Sequence, residues 1–313
     1  MTAPAAEVDL TGKVSLVTGA TGGMGQVITT ELARLGSTVV IPVRNRDRGV
    51  QVRRQVAARV GADRVEVLTA DLTSQSDLHR LADQFTARHP VLHLLVNNVG
   101  AHFRKRLLNS DGIEMHVAVD YLAGATLTTL LLDQLQAAAT ARVVNVASMA
   151  LFDTRMVQIR RQPRPPRIDP AQLGDLRYLN PAAGWTPLDA YARAKMLTLM
   201  SGYFLAQLLR GTGVTVNSVH PGLVNTGILD DIAPPIMKPL LPLTRRLQLS
   251  PEQGAQAALH LATAPELTEV TGRYFDREAE KRTPSCSYDI TLQERIWDTT
   301  TAYITRNRSD TKR

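Results

Sequence analysis

Tyr191-Ala-Arg-Ala-Lys195 places a phenol and an ammonium four residues apart. On a helix that spacing is just over one turn, so both groups share a face. A free phenol titrates near ~10 and is a poor acid–base group at neutral pH. A neighbouring ammonium favours the phenolate and lowers that value, which makes the pair a candidate proton shuttle. Lysine is scarce in a chain rich in arginine, so Lys195 stands out. Ser148 follows the apolar run Arg142–Ala147, and its hydroxyl is available to a substrate oxygen and to the Tyr191 phenol. A second chemistry-bearing stretch is Thr18-Gly-Ala-Thr-Gly-Gly-Met-Gly25, set between a short apolar run and a helical pattern. Gly19 permits a tight turn, while Gly23 and Gly25 let the backbone approach a pyrophosphate and let helix pack on strand. The helix start then offers free N–H groups and a partial positive charge to an anion, with Thr21 and Met24 beside it.

These groups need a scaffold that brings strand ends together. Short apolar runs at 13–18, 37–43, 64–69, 91–96, 142–147, 214–219 and 272–275 alternate with helical stretches to about 35, at 47–60, 75–89, 112–138, 188–209 and 251–264. Strands alternating with helices predict an α/β, Rossmann-like doubly wound parallel sheet of about seven strands in one domain, with helices on both faces. The domain is expected over 11–300, with tails at 1–10 and 301–313. The Pro-rich 151–188 and 221–250 break the rhythm and read as substrate-side excursions. Ser148 lies just past the fifth strand, where such a sheet opens its ligand crevice. The second strand ends at Val43-Arg44-Asn45 without the acidic residue that would hold a ribose 2′-OH; Arg44, with Arg46 or Arg48, is placed to pair with a 2′-phosphate. NADP(H) is therefore expected in preference to NAD(H). Asp71, beside Leu72 after the third strand, is placed to accept from an adenine amine.

The chain has 313 residues, 44% hydrophobic and 21% charged, a composition that buries a full core and excludes collagen, a coiled coil and a disordered chain. One cysteine, Cys286, excludes an internal disulfide and a cysteine zinc cage, and fits a cytoplasmic protein. The net charge of +7 comes without any nucleic-acid-binding motif, so no nucleic-acid partner is expected. Neither a signal peptide nor an apolar run of membrane-spanning length is evident, and no metal-ligand pattern occurs. Residues 155–167 carry five arginines and no acid, either a solvated loop or a contact for an acidic or phosphorylated group. Trp185, Met149, Leu151, the 223–245 stretch, His102 and Phe103 are candidates for a pocket wall.

Taken together the motifs resemble the short-chain dehydrogenase/reductase family from about residue 12 to residue 298. Thr18-Gly19 with Gly23 and Gly25 is similar to its TGxxxGxG, Asn97-Asn-Val-Gly100 to its NNAG with Val99 for Ala, and Ser148, Tyr191 and Lys195 to its catalytic Ser and YxxxK. His220-Pro-Gly-Leu-Val-Asn-Thr226 is similar to its PG segment. The C-terminal stretch and Arg44-Asn45 resemble the retinol-dehydrogenase-like branch. The resemblance implies hydride transfer between NADP(H) and a carbonyl or secondary alcohol of an apolar small molecule, as in a ketoreductase. Tyr191 would exchange the proton, Lys195 hold the nicotinamide ribose and Ser148 orient the oxygen. It adds Asn98, Gly100, Pro221, Gly222, Val224 and Thr226 to the cofactor residues, gives Asn97 a role in holding the central strands, and implies a homo-oligomer. Asp120 stands where the family usually has an Asn that holds a water near the lysine. Either the carboxylate binds the same water or it alters the proton chemistry. Two other outcomes stay open: an epimerase or dehydratase using transient oxidation, and a non-catalytic cofactor-sensing regulator.

Overall fold

The computed structural model describes residues 8–154, 164–224 and 248–311. Eight strands form one sheet: β1 (Val14–Val17), β2 (Thr38–Val43), β3 (Val65–Thr69), β4 (Leu94–Asn97), β5 (Ala141–Val146), β6 (Val214–His220), β7 (Tyr274–Asp276) and β8 (Ala279–Glu280). Their order is β3-β2-β1-β4-β5-β6-β7-β8, and every pairing is parallel except the antiparallel β7–β8. The sequence predicted about seven strands. The eighth is a two-residue return after Arg277, too short to leave a periodic signal.

Helices cover both faces. On one side α1 (Gly23–Arg34), α2 (Arg46–Val60) and α7 (Pro251–Thr263) send Ile28, Val56 and Leu261 against Val39, Ile41 and Val219 of the sheet. On the other, α3 (Gln75–Thr86), α4 (Ala123–Leu130) and α6 (Pro187–Leu208) place Leu78, Leu127 and Leu205 against Val40, Leu95 and Val216. Successive residues of β2 thus enter opposite cores, as strand geometry requires, and both faces are buried, which is why the strands read as continuous apolar runs. The order reverses between β1 and β4, so the crevice at their C-terminal ends is the switch point where such sheets bind ligands.

Two stretches differ from expectation. The predicted 112–138 helix is interrupted: Val117–Leu122 winds as a π-helix, α4 ends at Leu130, and the short α5 (Leu132–Gln136) restarts after Leu131. The predicted tail at 301 instead continues α8 (Ile290–Thr311), in which Ile304 is buried and the carbonyl of Ile304 bonds the His79 ring. A polar C-terminal composition hid that anchoring. Among the described residues no helix is long and apolar enough to cross a membrane.

Candidate active site

The glycine turn joins β1 to α1. Gly19 has φ +70°, and a Cβ on it would approach the Asn98 amide nitrogen to 2.9 Å. A Cβ on Gly25 would sit 2.1 Å from the Gly19 carbonyl oxygen, so only glycine lets α1 start against the turn. Asn98 braces the turn from β4: its N–H donates to the Thr18 hydroxyl at 3.0 Å and its side-chain amide donates to the Thr18 carbonyl at 2.9 Å. Thr21 and Gly23 are exposed on the turn. The Gly22 N-cap supplies no side-chain bond, whereas Asn45, Ser74, Thr186 and Ser250 cap α2, α3, α6 and α7. The first N–H donors of α1 are therefore open to an anion, and the glycines give the backbone clearance that a pyrophosphate needs. These residues fit a dinucleotide.

The other expected cofactor residues surround this turn. Arg44 is exposed at the end of β2. The Asn45 carboxamide oxygen accepts from the Arg48 N–H at 3.1 Å, so that side chain caps α2. The Asp71 carboxylate accepts from the backbone and hydroxyl of Thr73, next to the half-buried Leu72. Pro221 and Gly222 (φ +91°) follow β6, and Val224 pairs with Leu249. A Cβ on Gly254 of α7 would meet Val224 at 2.4 Å and the Met24 sulfur at 2.7 Å, which puts the 221–224 segment over the glycine turn. Thr226 lies outside the described residues, as do 155–163 of the arginine-rich stretch and 225–247 of the second excursion.

In the sequence Ser148 and Tyr191 stand far apart; parallel order sets α6 beside the end of β5. The Ser148 hydroxyl accepts from the Ala150 N–H at 3.2 Å and stands near enough to the Tyr191 phenol to favour its ionised form. The Lys195 ammonium donates to the Val146 carbonyl at 3.1 Å and lies 5.8 Å from the centre of the Tyr191 ring. Asp120, on the π-turn, brings one carboxylate oxygen to 3.5 Å from the Lys195 nitrogen, and the same oxygen accepts from the Ala101 N–H at 3.1 Å. A Cβ on Gly100 would fall 3.1 Å from that oxygen, so the β4 turn packs tightly over the pair. Asn97 donates from its side chain to Thr128 and Asn145, tying β4 to β5 and α4. The π-turn adds a residue to the helix at Asp120, a recurrent feature of functional sites.

The electrostatics depart from expectation. Burial pushes the Tyr191 phenol above its ordinary value, the Asp120 carboxylate pushes it further, and the nearby Ser148 hydroxyl only partly opposes them. The predicted lowering of this phenol by Lys195 is not what the arrangement produces, because an anion and a dry environment stand on the same side of the balance. Asp120 is itself pushed up, to about 6, by burial against the opposing pull of Lys195 and the Ala101 amide.

Around Tyr191 stands a wall of rings. His102 and His116 lie 6.0 and 6.2 Å from it, ring centre to ring centre, and Phe103 and Trp185 lie 5.2 and 6.1 Å from His116. His102, Phe103 and Trp185 were legible as wall candidates. Glu114, His116 and Asn180, all fully buried, were missed; the only hint was the turn-forming Asn180-Pro181.

A nucleotide-accommodating glycine turn, with serine, tyrosine and lysine converging at the switch point, has clear relatives. The family model for short chain dehydrogenase matches residues 13–159. Mouse polyprenol dehydrogenase is 34% identical over 292 residues, covering 91% of this chain and 82% of that protein. The chain belongs to the short-chain dehydrogenase family. Human retinol dehydrogenase 11 is 32% identical over 93% of this dehydrogenase and 85% of its own length. The dehydrogenase is thus an oxidoreductase of the retinol-dehydrogenase-like branch. In fold, it is similar to an uncharacterised protein from Mycobacterium paratuberculosis, with a TM-score of 0.73, 24% identity and 96% of each chain covered. It is also similar to the Pseudomonas aeruginosa RhlG/NADP active-site complex, with a TM-score of 0.63 and 23% identity over 86% of this chain and 96% of that one.

Proposed function

We propose that the protein is an NADP(H)-dependent oxidoreductase for the carbonyl or alcohol of an apolar molecule, with an isoprenoid aldehyde or alcohol as the substrate class. The observation that carries this is the Ser148–Tyr191–Lys195 group set at the sheet's switch point beside an uncapped helix start. The names of the relatives, polyprenol and retinol dehydrogenases, support an isoprenoid. The exposed Arg44, with no acid at the end of β2, supports the 2′-phosphate form. When bound, the cofactor supplies or takes the hydride. Gly19, Gly23 and Gly25 clear the backbone for its phosphates, with Thr21, Met24, Asn98 and Pro221–Val224 around them. Lys195, held by Val146, would hold the nicotinamide ribose.

Tyr191 carries the proton. Burial and Asp120 keep it as the neutral phenol, the form that donates to a carbonyl oxygen as negative charge develops there. Ser148 orients that oxygen and shares the charge. Reduction is therefore the direction for which the site is poised near neutral pH. Asp120 serves as the ionised neighbour of Lys195. A homo-oligomer and a cytoplasmic location belong to the same reading, on the resemblance and on the single cysteine respectively.

The test is absorbance at the nicotinamide band with farnesal, all-trans-retinal or 2-decanone and either NADPH or NADH. Consumption of NADPH with the isoprenoid aldehydes is expected. Tight NADPH binding without oxidation by any of the three carbonyls would sink the proposal and favour a regulator.

A further inference from the structure

Glu114 is a carboxylate with no exposure at all, in a part of the molecule the reaction chemistry leaves unused. Burying such a charge is costly unless its lone pairs are met. They are met completely. One oxygen accepts from His116 Nδ1 at 2.8 Å. The other accepts from the Asn180 side chain at 2.8 Å and from the His116 and Val117 N–H groups at 3.1 and 3.3 Å. Burial pushes the Glu114 carboxyl up, but the bonds from His116 and Asn180 outweigh it and hold it below the usual carboxylate range.

Both partners reach the catalytic machinery. His116 Nε2 accepts from the Phe103 N–H at 3.1 Å, so its proton resides on Nδ1 and points at Glu114. That bond fixes the irregular segment after Gly100, whose His102 and Phe103 rings face the Tyr191 cluster. Asn180 sits at φ 56°, a conformation Asn tolerates better than other side-chain-bearing residues. Its amide also donates to the carbonyl of Ala190, the residue before Tyr191, and its carboxamide oxygen accepts from Arg193 two residues beyond. Its own carbonyl accepts from Arg106 at 3.0 Å. One buried anion thus joins the segment after β4, the excursion between Ser148 and Tyr191, and the first turns of α6.

We propose that Glu114, acting through His116 and Asn180, is a positioning residue that holds the aromatic substrate wall in register with Tyr191. The proposal rests on the oxidoreductase reading above, and its test separates the two. Glu114→Gln leaves a single acceptor oxygen and sets an NH2 group against one of its former donors. Asn180→Gly keeps the left-handed backbone and deletes the side chain. In each variant the KM for farnesal rises about tenfold or more, as expected for one charge-assisted buried hydrogen bond lost. NADPH binding, measured by fluorescence, stays within about twofold because the glycine turn is untouched. The double variant is no worse than the worse single one, since both act through one contact. Simple loss of folded protein would lower kcat and leave KM alone, so unchanged KM in both variants overturns the proposal. Hydrogen exchange at the Phe103 amide reads the clamp without turnover. Protection lost in Glu114→Gln supports it even if the wild type reduces no aldehyde, and protection retained in that case overturns it.

Discussion

Asp120→Asn isolates the cost of one buried carboxylate. Burial holds the Asp120 pKa at about 6 in the folded protein, against an ordinary 3.8. Below both values the carboxyl is protonated whether folded or not, and it contributes nothing to the pH dependence. Between them the unfolded chain ionises first, so stability falls by about 1.4 kcal/mol per pH unit. Above the folded value the whole penalty persists, about 3 kcal/mol from a shift of about two units. This figure already includes the attraction of Lys195, since that pull is part of what sets the folded value. Asn does not titrate. The stability of the variant relative to the wild type should therefore climb by about 3 kcal/mol between roughly pH 4 and roughly pH 7. Paired urea titrations across that range give the difference directly, since titrating groups that do not interact with Asp120 cancel between the two proteins. A difference that stays flat within about 0.5 kcal/mol would refute the burial account. One that falls with rising pH would mean that the ion pair with Lys195 outweighs desolvation. Turnover should survive, because Asn still accepts the Ala101 N–H. Abolished turnover with intact NADPH binding would assign the carboxylate a direct part in proton transfer.

Tyr191→Phe removes the proton donor without altering the ring wall; turnover should drop by about 10²–10⁴-fold with NADPH affinity unchanged, and near-wild-type kcat would overturn the assignment. Arg44→Ala should weaken NADPH binding about tenfold and leave NADH untouched, by titration calorimetry with both cofactors. Because burial and Asp120 hold Tyr191 as the phenol, kcat/KM for alcohol oxidation should rise with pH through the alkaline range, whereas reduction should not; parallel profiles would contradict this.

The glycine turn was legible because a backbone that must bend sharply and then meet a phosphate needs glycine at each of those places, and the close approach of Gly25 to Gly19 is the physical content of that pattern. Ser148 and Tyr191 were legible as partners because α6 follows β5 in a parallel fold, which fixes where a residue at a strand's end must lie. The sign of the Tyr191 perturbation was not legible. It depends on burial and on a π-turn that aims Asp120 at the site, and a one-residue change of helical winding leaves no periodic trace. Asn45 shows a related ambiguity, since the same side chain that stands at the cofactor edge is occupied in capping α2. The Glu114–Asn180 contact joins residues 66 apart through an irregular excursion. Neither helical nor strand spacing governs such a meeting, so only coordinates reveal it.

The sheet finishes on β8, whose two exposed residues run opposite to their neighbour. Glu280 there faces Arg273 at 3.4 Å, and the adjoining Lys281 binds Asp276 at 2.9 Å. An incoming strand from another molecule would find almost no free ladder and a fringe of alternating charge, both of which discourage templated stacking into fibrils. The abrupt turn after β7 therefore acts as a terminator for this edge of the sheet, so that growth by strand addition is closed off on the side away from β3.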